Sequence, residues 1–77
     1  MDVQTEQIKI TTEFIKLDQL LKFSGAADIG SEAKAMILDG IVDVNGETCT
    51  MRGKKIRGGD VVEIRGEDII LRLEVVA

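Results

Sequence analysis

The stretch GIVDVNGETCTMRGKKIRGGDVVEIRG, residues 40–66, decides the fold. Val42 and Val44 alternate with Asp43 and Asn45, the period of a strand with one buried face. Asn45-Gly46 follows at once. Both residues tolerate positive φ, so the pair reads as a tight hairpin turn. A short return strand is expected from Thr48 to Met51. Arg52 to Gly59 reads as a loop, with Met51 and Ile56 anchoring it to the core. Gly58-Gly59-Asp60 makes a second turn, Val61–Arg65 a strand, and Gly66-Glu67-Asp68 a third turn. The second half of the chain is therefore a meander.

Downstream, Ile69 to Val76 is a final strand with Ile69, Leu71, Leu73 and Val75 on one face. Upstream, the period changes. Ile29, Ala33, Met36 and Ile37 fall on one helical face, and Gly40 is a stop. Asp28 and Ser31 are both candidate N-caps. Before that, Leu17, Leu20, Leu21 and Ser24 recur at helical spacing, with Gly25 in the place of a C′ glycine. Phe14 and Ile15 are expected to pack beneath the first turn. Alternation returns from Glu6 to Thr12, where Ile8 and Ile10 share a side. Residues 1–5 are polar and expected to fray. The sum is an α+β fold: two packed helices on a small antiparallel sheet, with the N-terminal strand pairing the C-terminal one. Residues 1–77 read as a single domain.

Composition narrows function. The chain has 77 residues and no histidine, so the commonest general base and metal ligand is missing. Cys49 is the single cysteine, which excludes an internal disulfide and a cysteine zinc cluster. It reads as a small strand residue with no histidine to activate it. Carboxylates abound, yet none sits in an acid/base pair or metal-ligand spacing, and no phosphate-loop or dinucleotide glycine signature occurs. No catalytic residue, metal or cofactor is expected. No apolar run is long enough for a membrane helix, and Lys9 and Glu13 interrupt any leader-like core. A cytoplasmic monomer is the expectation.

The net charge of −4 is unevenly spread. Residues 1–51 carry −5 and residues 60–77 carry −3, while residues 52–59 hold Arg52, Lys54, Lys55 and Arg57 with no acid, giving +4. Screening acts over about 8 Å at physiological salt, so a ligand on that segment feels the local charge rather than the total.

Several of these features occur together in a known family. Leu17-Asp18, Leu21, Gly25, Ala33-Lys34, Ile37, Gly40, Val42, Val44-Asn45-Gly46, Ile56, Gly59-Asp60 and Ile64 stand in register. They resemble the RNA-binding domain first described in ribosomal protein S-four, also called the αL RNA-binding motif. The resemblance covers roughly residues 14–65. Free-standing small members of the YaaA/YbcJ type are the nearest subgroup. The resemblance implies a non-catalytic protein that docks on structured RNA, ribosomal RNA foremost, in association with the ribosome or its precursors. It also implies that the second helix, its N-terminus and the adjacent β-loop form one RNA-facing surface. One departure is visible. Many relatives carry Ser-Arg at the start of the second helix, where this chain has Ile29-Gly30.

On that basis Arg52, Lys54, Lys55 and Arg57 are the first candidates for RNA contact, since guanidinium groups and ammoniums track phosphates. The bland alternative is a solvated loop. Gly30, Ser31 and Lys34 are the second set, because a helix start presents free N–H groups and partial positive charge. Asn45 is the third, beside its turn role. Asp18 and Asp60 read as structural. Two other functions compete. A β-grasp sulfur carrier shares the Val-Asn-Gly turn and a Gly-Asp-x-Val-Glu-Ile run, but needs a C-terminal Gly-Gly where this sequence has Val76-Ala77. A protein-interaction module that has lost RNA binding is the other.

Overall fold

The helical stripes fold where their spacing predicts. In the computed structural model, which describes residues 2–77, β1 (Asp2–Lys9) and β2 (Ile15–Lys16) precede α1 (Leu17–Phe23) and α2 (Gly30–Leu38). Then come β3 (Val42–Val44), β4 (Glu47–Thr48), β5 (Lys55–Ile56), β6 (Val61–Arg65) and β7 (Ile69–Val76). Leu17, Leu20 and Leu21 of α1 and Ala33 and Ile37 of α2 are fully buried. They meet Val42, Val62, Leu73 and Val75 from one face of the sheet, and Ile56 from β5, in one apolar core.

Gly40 ends α2 with φ of 77°. Its N–H reaches the Ile37 carbonyl and that of Ile41 the Met36 carbonyl, the two bonds of a Schellman stop that favours glycine. Neither Asp28 nor Ser31 caps the start of α2. Ile29 holds the cap position in extended conformation, no side chain caps it, and its carbonyl takes the first helical bond from Ala33.

The main sheet has the order β1-β7-β6-β3-β4. Its β3–β4, β3–β6 and β6–β7 pairs are antiparallel. The N-terminal strand pairs the C-terminal one as expected, but in parallel, so the sheet is mixed. Parallel neighbours need a long crossover. The whole helical pair and meander supply it. The expectation of fraying at residues 1–5 is corrected for residues 2–5, which pair continuously with β7 from Asp2–Ile69 onward. Met1 lies outside the described residues. Polar side chains do not prevent an edge strand whose backbone is paired on one side.

The meander holds with two corrections. The return strand is only Glu47–Thr48, because a turn closed by Lys54 N–H to the Met51 carbonyl lifts the chain away. Met51 is accordingly 67% exposed and is not a core anchor, whereas Ile56 is fully buried. The 52–59 segment is also not all loop. Lys55 and Ile56 pair antiparallel with Lys16 and Ile15 in a separate two-stranded ribbon.

Asn45 and Gly46 both take positive φ, as a hairpin turn of this type requires. The Asn45 side chain does more. Its Nδ2 donates to Asp60 Oδ1 at 3.1 Å, and its Oδ1 accepts from the Val61 N–H at 2.9 Å. Asp60 Oδ2 accepts from the Arg57 N–H at 2.8 Å. The hairpin turn, the second turn and the end of the basic segment are thereby tied together.

Two outcomes test this account by urea denaturation. Ile37→Ala removes a fully buried side chain and should cost about 2–5 kcal/mol, a large fraction of the stability of a domain this small. Asn45→Asp leaves a carboxylate facing Asp60 without a donor and should cost about 1–3 kcal/mol. Adding Asp60→Asn restores a donor in the reversed direction and should recover at least half of that loss.

Candidate nucleic-acid interface

The ribbon formed by β2 and β5 places the cations. Ile15 opposes Ile56 and Lys16 opposes Lys55. Strand side chains alternate, so the two isoleucines turn toward the core while Lys16 and Lys55 share the outer face. Phe14 and Arg57, one position further out, fall on that same face. The contacts agree: Lys55 Nζ lies 4.9 Å and Arg57 Cζ 5.9 Å from the centre of the Phe14 ring. Phe14 is half-buried, so it is a platform beneath two cations rather than a core residue. Lysines directly opposite one another on a ribbon repel.

The remaining cations of the segment are held by backbone. The Leu17 N–H donates to the Lys54 carbonyl at 2.9 Å and the Asp18 N–H to the Arg52 carbonyl at 3.1 Å. No side chain caps α1, so these two carbonyls replace the missing cap. The loop is thereby fixed against the positive end of a helix. Arg52 and Lys54 are exposed. Lys54 lines one wall of a shallow groove of about 480 Å³ with Val44, Thr48, Cys49 and Met51. The four cations thus divide: Lys55 and Arg57 stand over Phe14, with Lys16 opposite Lys55, while Arg52 and Lys54 sit on the loop that caps α1, Lys54 bordering the groove.

Ion pairing separates the basic residues into two groups. On the sheet face away from the helices, Arg72 donates through Nε and Nη2 to Glu63 Oε2, each at 3.1 Å. Arg65 meets Asp43 at 3.3 Å, the Gly40 carbonyl and Thr48 Oγ1. Among the described residues these are the only ion pairs. Lys16, Lys22, Lys34, Arg52, Lys54, Lys55 and Arg57 have no acid within pairing distance.

Gly30, Ser31 and Lys34 lie exposed on the first turns of α2. The helix packs on α1, and no hydrogen bond or ion pair joins these three residues to the ribbon. Asn45 is occupied at both ends of its amide by Asp60 and Val61, so its place in the fold is that of a tie between turns. Sequence reasoning missed Phe14 and Lys16. The alternation of Phe14 and Lys16 just before α1 was the available signal. No group of three potential metal ligands occurs among the described residues, and no helix is long and apolar enough to cross a membrane.

The sequence and the fold are similar to those of known proteins. The S4 domain family matches residues 8–72. The probable ribosome maturation protein RlbA of Bacillus subtilis (strain 168) is 44% identical over 59 residues, which cover 77% of this chain and 83% of that protein. The trimeric structure of Vibrio cholerae heat shock protein 15 superposes with a TM-score of 0.65 at 28% identity. That match covers 73% of this chain and 57% of the other, so this chain spans somewhat over half the length of that relative. With the family match running through both helices, the ribbon and the meander, the chain belongs to the S4 domain family.

Proposed function

We propose that this protein is a non-catalytic module that binds structured RNA, ribosomal RNA or its precursors foremost, in the cytoplasm. The observation that carries the reading is the outer face of the β2–β5 ribbon, where Lys55 and Arg57 stand over Phe14 and Lys16 lies opposite Lys55, none of the three with an acid within pairing distance. Placing like charges opposite each other costs stability, and a polyanion relieves that cost. Arg52 and Lys54, set at the start of α1, extend the contact along the phosphates. Gly30, Ser31 and Lys34 offer a second anchoring point through the free N–H groups of α2. Asn45 acts by holding the Arg57 turn in place. One half-buried phenylalanine at the ribbon gives little means of reading bases, so recognition is of phosphate positions and RNA shape. The likeness to a probable ribosome maturation protein supports a role in ribosome assembly.

Binding of a structured ribosomal RNA fragment, titrated at several salt concentrations, tests this. If four or five phosphates are neutralised, log K should fall against log salt with a slope of about −3 to −4. Replacing Arg52, Lys54, Lys55 and Arg57 together by alanine should weaken binding by about 100-fold or more and flatten the slope. Absence of binding at low salt, or an unchanged affinity in that variant, would overturn the reading. Phe14→Leu keeps every charge but removes the platform. It should weaken binding by about 2- to 5-fold and leave the salt slope unchanged.

A further inference from the structure

Strand β1 stands apart from the rest of the fold. It is eight residues long and lies at one edge of the main sheet. Seven of its side chains are exposed and only Ile8 is half-buried, so the strand gives little to the core. Asp2–Gln7 also fall outside the matched S4 region, which begins at residue 8. The opposite edge, β4, has only two residues. Natural sheets blunt an exposed edge by shortness, proline, bulges or charged side chains, lysine above all. β4 is short. β1 has few of these devices: it contains no proline or glycine, its register with β7 is unbroken, its one lysine is the terminal Lys9, and Glu6 is the single charge in its middle.

We propose that the free edge of β1 pairs with the β1 edge of a second copy of this chain, antiparallel about a twofold axis beside Thr5. A twofold axis perpendicular to the sheet keeps each side chain on its own face. The axis must therefore pass a residue rather than a gap between residues, which leaves few registers. Centred on Thr5, the pairs are Thr5 with Thr5, Gln4 with Glu6, Val3 with Gln7 and Asp2 with Ile8. None opposes like charges. Centring on Gln4 sets Asp2 against Glu6, and centring on Glu6 sets that carboxylate against itself; both are disfavoured. The Thr5 register also lays the acidic end of each strand beside the Lys9 end of the other. The Asp2 N–H is bonded to the Asp68 carbonyl, so that acidic end includes the Glu67-Asp68 turn. Both helical layers then lie on the same side of one continuous ten-stranded sheet, which would present two cationic ribbons to the same side.

Pairing of short strands buries less than the roughly 1,200 Å² of a stable standard interface, so association is weak and concentration-dependent. Sedimentation without RNA reads it independently of RNA binding. The weight-average mass should rise from monomer at about 10 µM toward dimer near about 1 mM. Thr5→Lys places two ammoniums at the axis and should weaken dimerisation at least tenfold, with the circular dichroism spectrum unchanged. In a Cys49→Ser background, T5C should form a disulfide-linked dimer on mild oxidation, because directly opposed Cα atoms lie about 4.5–5.5 Å apart. Q7C should not, since its twofold mate is displaced by four residues, about 13 Å. A constant monomer mass up to about 1 mM, a trimer, or equal cross-linking of T5C and Q7C would each overturn the proposal.

Discussion

Two backbone bonds at the start of α1 set much of this molecule's character. The first amides of the helix, Leu17 and Asp18, find their acceptors in the carbonyls of Lys54 and Arg52. A helix start without a side-chain cap has unsatisfied donors and partial positive charge. A short run of four cations, by itself, repels and extends. Each solves the other's difficulty. The loop's carbonyls turn inward to the helix, while its charged side chains stay in solvent. The helix in turn acquires a cap. The ribbon of β2 and β5 continues the same attachment by two more residues, burying Ile56 and packing the half-buried Ile15 against the core.

That attachment separates the charges of the protein. Arg65 and Arg72, on the sheet face away from the helices, are taken up by Asp43 and Glu63. Exposed pairs of this kind contribute little to stability, at most about 1 kcal/mol each. Their consequence is to remove two cations from the outward field. The ribbon cations have no such partners, so an acidic protein with a net charge of −4 still presents a local positive surface. The Asn45–Asp60 tie serves the same surface from a distance, because Asp60 also fixes the Arg57 backbone.

Much of the fold was legible from periodicity. The boundaries of β6 and β7 fall where the turns at Gly58-Gly59-Asp60 and Gly66-Glu67-Asp68 place them, and the core is the set of apolar residues on the helical stripes and one strand face. Three features were not legible. β5 is too short for its own alternation to register, and it exists because β2 is there to pair with it. β1 looked like a frayed tail because its outer half has no apolar face; its order comes from ladder bonds to β7. Met51 looked like an anchor because it is apolar, but the turn before Lys54 carries it outward. In the candidate site the four cations were plain in the sequence, whereas Phe14 and Lys16, some forty residues upstream, were not.

Local order determined the elements: residue spacing, glycine stops and an Asn-Gly turn specify helix, strand and hairpin within windows of a few residues, since backbone preference and one-sided burial act at that range. The same windows hold the isolated positive segment, which follows from composition alone. Tertiary structure decided which cations stay free, which are paired, and which stand together over an aromatic ring. It also decided that β1 runs parallel to β7. The reason is distance along the chain: each of these outcomes depends on backbone or side-chain partners tens of residues away, and no local pattern encodes a partner that only folding brings near.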